Sequence, residues 1–133
     1  MATLNPIVLV EDDLVDALTV KRAFAQIGVK NQLVHCQNGE EALEYLKKDR
    51  DLLPSLILLD LNMPRMGGFE FLEAFKIDHR SSAIPIVILT TSTEDHDRLQ
   101  SDRYALAGFM IKPVDYHDCV EMMRTLSPYW STE

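Results

Sequence analysis

The sequence predicts one α/β domain: a doubly wound, five-stranded parallel sheet in the order 2-1-3-4-5, flanked by five helices. Three observations predict it. Short continuous apolar runs, Ile7-Val8-Leu9-Val10, Leu56-Ile57-Leu58-Leu59, Ile86-Val87-Ile88-Leu89 and Phe109-Met110-Ile111, read as strands buried on both faces. Stretches with helical spacing separate them, and strict alternation of strand and helix implies right-handed crossovers onto a parallel sheet. Each run also delivers polar groups at the same end: Glu11-Asp12-Asp13, Asp60, Thr90-Thr91-Ser92 and Lys112-Pro113.

The elements follow in order. After the first strand, Leu14, Ala17, Leu18, Phe24 and Ile27 mark one face of a helix that Gly28 stops. Asn31 to Cys36 is a more polar strand, expected at a sheet edge. Asn38 caps a second helix carrying Ala42, Leu43 and Leu46, with Lys47, Lys48 and Arg50 near its C-terminal dipole. A third helix runs from about Phe69 to Asp78 and buries Leu72 and Phe75. Ile84 to Leu89 forms the next strand, with Pro85 at its start, where a missing N–H is tolerated. A polar helix from about Glu94 to Ala107 carries Leu99, Tyr104 and Leu106. The last strand, Phe109 to Ile111, leads to a helix that starts near Asp115, carries Val120, Met123 and Leu126, and ends at Pro128.

Composition bounds the function. A chain of 133 residues suits one domain spanning 1–133, with no separate output domain. No apolar run approaches the ~20 residues of a membrane span, and the N-terminus lacks a signal-peptide pattern, so a cytoplasmic protein is expected. A net charge of −8 disfavours nucleic acid and acidic membranes as partners. Cys36 and Cys119 have no paired spacing and read as reduced core thiols. The scattered histidines His35, His79, His96 and His117 read as surface or strand-end residues.

In a 2-1-3-4-5 sheet the strand order reverses between strands 1 and 3, and ligands bind beyond the carboxyl ends there. Glu11, Asp12 and Asp60 therefore converge. Carboxylates crowded together repel, which raises at least one pKa, and a divalent hard cation relieves them. Mg²⁺ is expected on Asp12 and Asp60, with the backbone carbonyl of Asn62 adding an oxygen and Glu11 acting through water. A metal beside a carboxylate nucleophile suits phosphoryl transfer, with Lys112 and the Thr90 hydroxyl meeting phosphate oxygens. Asp13 reads as a helix N-cap. The Lys112-Pro113 isomer stays open.

The motifs Val10-Glu11-Asp12-Asp13, Leu59-Asp60-Leu61-Asn62-Met63-Pro64-Arg65-Met66-Gly67-Gly68, Leu89-Thr90-Thr91-Ser92 and Gly108-Phe109-Met110-Ile111-Lys112-Pro113 stand in register along essentially the whole chain. In them the sequence resembles the receiver domain of two-component response regulators, CheY-like and flavodoxin-like in fold. The resemblance implies that Asp60 accepts phosphate from a phosphohistidine on a sensor histidine kinase or a phosphotransfer protein. It implies Glu11 and Asp12 as the acidic pair, Thr90 as the switch hydroxyl, Lys112 as the family's lysine and Phe109 as the switch aromatic. Output would pass through the last two helices and the last strand to a downstream partner. Such a chain is a signalling phosphoacceptor or phosphorelay component, not an enzyme.

Gly67 stands where the family often has Asp, and Thr91 where it often has Ala or Gly; the bulk of Thr91 is expected to slow attack on the site. Pro128-Tyr129-Trp130 either folds back on the domain or anchors a partner. The motif context and this tail are similar to single-domain regulators associated with bacterial phytochromes, several of which dimerise, so a phytochrome kinase and a homodimer are further expectations. Competing readings are a degenerate, binding-only receiver, an aspartate-nucleophile phosphatase and a flavodoxin-like flavin protein. The phosphatase would need an acid where Asn62 stands. Glu11-Asp12-Asp13 would repel a flavin phosphate.

Overall fold

The computed structural model describes residues 4–48, 53–78, 80–91 and 94–130, excepting the side chains of residues 95 and 96. Five strands, β1 (Ile7–Val10), β2 (Leu33–Cys36), β3 (Leu56–Leu59), β4 (Ile86–Thr90) and β5 (Gly108–Ile111), form one parallel sheet in the order β2-β1-β3-β4-β5. This is the predicted topology, with the polar β2 at an edge. The helices are α1 (Leu14–Gln26), α2 (Gly39–Lys47), α3 (Gly68–Phe75), α4 (Asp95–Ser101), α5 (Tyr116–Thr125) and a short α6 (Ser127–Trp130).

Strand alternation divides the interior into two cores. Ile7, Leu9, Leu56, Leu58, Val87 and Leu89 face α1 and α5, where Ala17, Val20, Ala23, Phe24, Val120 and Met123 pack on them. Val8, Val10, Ile57, Leu59, Ile86 and Ile88 face Ala42, Leu46, Phe71, Leu72 and Phe75 of α2 and α3. A strand residue points opposite to its neighbour, so a run that is apolar throughout supplies both faces. Cys119 lies in the first core and Cys36 in the second, so the sheet separates the two free thiols.

Several boundaries differ from expectation. The buried stripe of α1 is Ala17, Val20, Ala23 and Phe24, whereas Leu14 and Leu18 are 59% and 58% exposed. Ala17 and Ala23 join the core against the sheet; the two leucines are exposed. Gly28 follows the C-terminus of α1 with φ +79, a conformation that glycine adopts without steric cost. Asn38 caps α2 as expected, its side chain accepting from the Glu41 N–H at 3.0 Å. Arg50 lies outside the described residues.

Helix α4 ends at Ser101, six residues before the expected Ala107. Leu99 is exposed, and Tyr104 and Leu106 belong to the following loop. There the Tyr104 ring stacks on Phe69 at 6.3 Å and its hydroxyl donates to Glu73 at 2.7 Å. Their apolar character reflects that packing, not a helical face.

Pro128 does not end the helical structure, and among the described residues six α-helices stand where five were expected. It is the second residue of α6, within a first turn where its missing N–H is harmless. The tail folds back: Trp130 is buried, and its ring meets Phe24 edge to face at 5.1 Å.

Candidate functional site

β1 and β3 are neighbours in register, with Val10 opposite Leu59. The next residue on each strand, Glu11 and Asp60, therefore leaves the sheet at the same level. Backbone bonds hold both: the Asp60 N–H donates to the Val10 carbonyl at 3.0 Å, and the Glu11 N–H to the Cys36 carbonyl at 2.9 Å. Oxygens of Glu11, Asp12 and Asp60 lie within 4.8 Å of one another. Residues 49 positions apart in sequence thus share one point because the sheet reverses its strand order there.

Glu11 and Asp60 are buried; Asp12 is the more open of the three. Asp13 caps α1, its carboxylate accepting from the N–H groups of Val15 at 2.9 Å and Asp16 at 3.1 Å. The expected N-cap role matches this geometry, and the Asp13 N–H donates to Glu11 Oε2 at 3.2 Å.

Lys112 comes from just beyond β5, where its N–H donates to the Thr90 carbonyl at 2.7 Å. Its ammonium stands 2.5 Å from Glu11 Oε1, 2.8 Å from Asp16 Oδ2 and 3.9 Å from Asp60 Oδ1. The Lys112–Pro113 bond is trans. Asp16, in the first turn of α1, was missed from sequence. An acid in a helix's first turn reads as a complement to the dipole, and nothing local to it points to a lysine 96 positions away.

Burial pushes the Glu11 carboxyl up to about 7; the Lys112 hydrogen bond opposes this and the Asp60 charge adds to it. Burial likewise raises Asp60, opposed by Lys112 and by a hydrogen bond from the Asn62 N–H. A raised carboxyl pKa was expected from mutual repulsion, but desolvation is the larger cause. Burial also opposes the Lys112 ammonium, yet hydrogen bonds to Asp16 and Glu11 outweigh it and raise its pKa above the ordinary lysine value.

Thr90 is fully buried at the end of β4. Phe109 is half-buried, packs against the α2–α3 core, and lies 5.1 Å beneath the Arg98 guanidinium. Thr91 is exposed, and Ser92 lies outside the described residues. His35 is held at its strand end with Nε2 2.7 Å from the Glu11 carbonyl; His117 is exposed. His79 and the side chain of His96 lie outside the described residues.

Gly68 fixes the loop after Asp60. Its N–H donates to the Leu61 carbonyl at 2.9 Å, and a Cβ there would stand 2.6 Å from the Asp60 carbonyl and 2.8 Å from Leu61 Cα. Only glycine lets α3 begin this close to the acidic strand end.

Three hard oxygen donors, two of them buried at a strand end, fit a divalent cation such as Mg²⁺. Burial keeps the Glu11 and Asp60 carboxyls raised despite the nearby Lys112 ammonium, and a bound cation would favour their ionised forms. Together the groups can bind a cation, present a carboxylate nucleophile and neutralise an incoming anion.

The model of the response regulator receiver domain matches residues 7–124. The probable methanogenesis regulatory protein FilR2 of Methanothrix harundinacea is 35% identical over 93% of this chain and 82% of its own length. Response regulator Rcp1 of Synechocystis is 29% identical over 93% and 87%. The phosphorylated cyanobacterial phytochrome response regulator RcpA superposes with a TM-score of 0.85 at 30% identity, covering 97% of this chain and 94% of that one. The Mn²⁺-bound form of Rcp1 gives 0.83 at 28%, covering 97% and 96%. The family match spans most of the sequence and the solved relatives share the fold, and the chain belongs to the response regulator receiver domain family.

Proposed function

We propose that Asp60 accepts a phosphoryl group from a phosphohistidine of a sensor histidine kinase or phosphotransfer protein, in a Mg²⁺-dependent reaction, and that the modification switches the domain between two packings. The observation that carries this reading is the convergence of Glu11, Asp12 and Asp60, with Lys112 set against them.

An Asp60 oxygen attacks phosphorus, the P–N bond to the donor imidazole breaks, and the imidazole nitrogen keeps the electron pair and takes up a proton. Asp12 and Asp60 would hold the cation directly, with the Asn62 carbonyl, and Glu11 through water. When bound, the cation neutralises charge on the carboxylates and the phosphoryl oxygens. Lys112 meets a second phosphoryl oxygen, and the Thr90 hydroxyl donates to a third. As Thr90 moves toward the phosphate, it opens space into which Phe109 turns. Phosphate contacts thereby favour one arrangement of α4, β5 and α5 over the other. Similarity to phytochrome response regulators supports a phytochrome-type kinase as donor and a signalling role without enzymatic turnover. It also makes a homodimer worth testing, by sedimentation of the phosphorylated and unphosphorylated chain.

Incubation with acetyl phosphate and Mg²⁺, followed by intact mass measurement, tests the reading. A phosphoryl mass gain is expected in the wild type and is lost in Asp60→Asn. Absence of modification from acetyl phosphate and from a phosphorylated kinase would favour a binding-only receiver.

A further inference from the structure

Asp16 has no place in the phosphoacceptor reading, yet it is one of the two close partners of Lys112. The Lys112 ammonium bonds Glu11 and Asp16 at 2.5 and 2.8 Å and stops 3.9 Å from Asp60. Asp16 is rigidly placed: it sits in the first turn of α1, its N–H donates to the Asp13 cap, and α1 packs along α5. Lys112 is itself anchored by its backbone bond to Thr90. The side chain of Lys112 is 12% exposed and that of Asp16 38%, so the pair lies at the rim, with Glu11 behind it.

We propose that Asp16 is a positioning residue, a competing counter-ion that holds Lys112 toward α1 in the unmodified protein and yields it when a phosphoryl group arrives on Asp60. The inference rests on Asp60 being the phosphoacceptor, and it adds a regulatory element to that site. A cation shared among three carboxylates goes to the partners that stabilise it most. In the unmodified protein, Asp16 and Glu11 win over Asp60. A phosphoryl group adds negative charge and strong acceptor oxygens beside Asp60 and reverses the order. The Asp16–Lys112 bond must then lengthen or break, so Asp16 opposes the phosphorylated arrangement and limits how readily it forms.

Two effects of Asp16 must be separated: its hold on Lys112, and its plain negative charge near the site. A double-mutant cycle does this. Mn²⁺ affinity is measured by electron paramagnetic resonance for the wild type, Asp16→Asn, Lys112→Met and the double variant. Freeing Lys112 moves its charge onto Glu11 and Asp60, against the cation. Asp16→Asn is therefore expected to weaken Mn²⁺ binding about 3- to 10-fold with Lys112 present and less than about 2-fold with Met at 112. Equal weakening in both backgrounds would reduce Asp16 to a distant charge and overturn the inference.

The second readout is acetyl phosphate labelling. Asp16→Asn is expected to label about 3- to 10-fold faster and to keep its phosphoryl group longer, while Asp16→Glu, which keeps a carboxylate within reach of Lys112, stays within about 2-fold of wild type. An unchanged rate and lifetime in Asp16→Asn would also overturn it. If the wild type takes no phosphoryl group at all, the phosphoacceptor reading fails, and with it the proposed release step. The Mn²⁺ cycle then still reports separately whether Asp16 positions Lys112.

Discussion

Glu11 makes the fold's stability depend on pH in a way that can be isolated. Its carboxyl titrates at about 7 in the folded protein against an ordinary value of 4.5. The folded state therefore holds a proton that the unfolded state has released over that interval. Stability from this group is fully present below about 4.5 and is lost as pH rises through about 7. The gap between the two values corresponds to a ceiling of about 3 kcal/mol. Asp60 is raised too and shares the same protons, so we expect about 2 kcal/mol to be lost between about pH 5 and about pH 8.

The assay is urea unfolding in EDTA across that range, on wild type and Glu11→Gln. The variant keeps the side chain's size and removes the titration, so its stability should vary less with pH, and the difference between the curves is Glu11's contribution. Millimolar Mg²⁺ should also flatten the wild-type curve, because a bound cation favours the ionised carboxylates. Parallel curves for wild type and Glu11→Gln in EDTA would refute the reasoning.

Other outcomes follow from the geometry. Mg²⁺ should raise the urea midpoint of the wild type, and Asp12→Asn should remove most of that increase; an equal increase in the variant would exclude Asp12 as a ligand. Gly68→Ala forces a Cβ against the Asp60 carbonyl and Leu61, so unfolding should show a loss of about 1–3 kcal/mol together with slower acetyl phosphate labelling. Trp130→Ala opens a gap beside Phe24 and should cost about 3 kcal/mol in urea unfolding. Thr91→Ala should shorten the lifetime of the phosphorylated state, timed by loss of the phosphoryl mass, on the expectation that the bulk of the exposed Thr91, next to Thr90, slows attack on the site; an unchanged lifetime counts against that role.

The sheet was legible because its strands are buried on both faces, and a four-residue apolar run between turn residues fits little besides a buried strand. The site was legible for the same reason: once the strand order was inferred, Glu11, Asp12, Asp60, Thr90 and Lys112 had to lie at one end. What escaped were features decided by tertiary packing. Leu14 and Leu18 carry the same hydrophobic signal as core residues, and only tertiary packing shows that the buried face is the one with Ala17, Val20, Ala23 and Phe24. Tyr104 and Leu106 extended an apparent helix although they serve a loop packed on α3. Asp16 looked like a helix-start acid because its lysine partner lies 96 residues downstream.

The Asn31 amide donates to the carbonyls of both Asn5, at 2.7 Å, and Trp130, at 3.5 Å. Residues 5 and 130 thus meet at the end where the strands begin, one four-residue strand, or about 13 Å, from the level of Asp60. A circular permutant that joins them through a short linker would close a seam already bridged by one side chain. A fluorescent reporter placed at that seam stands on the far side of the molecule from the acidic cluster, leaving the approach of a phosphodonor unobstructed.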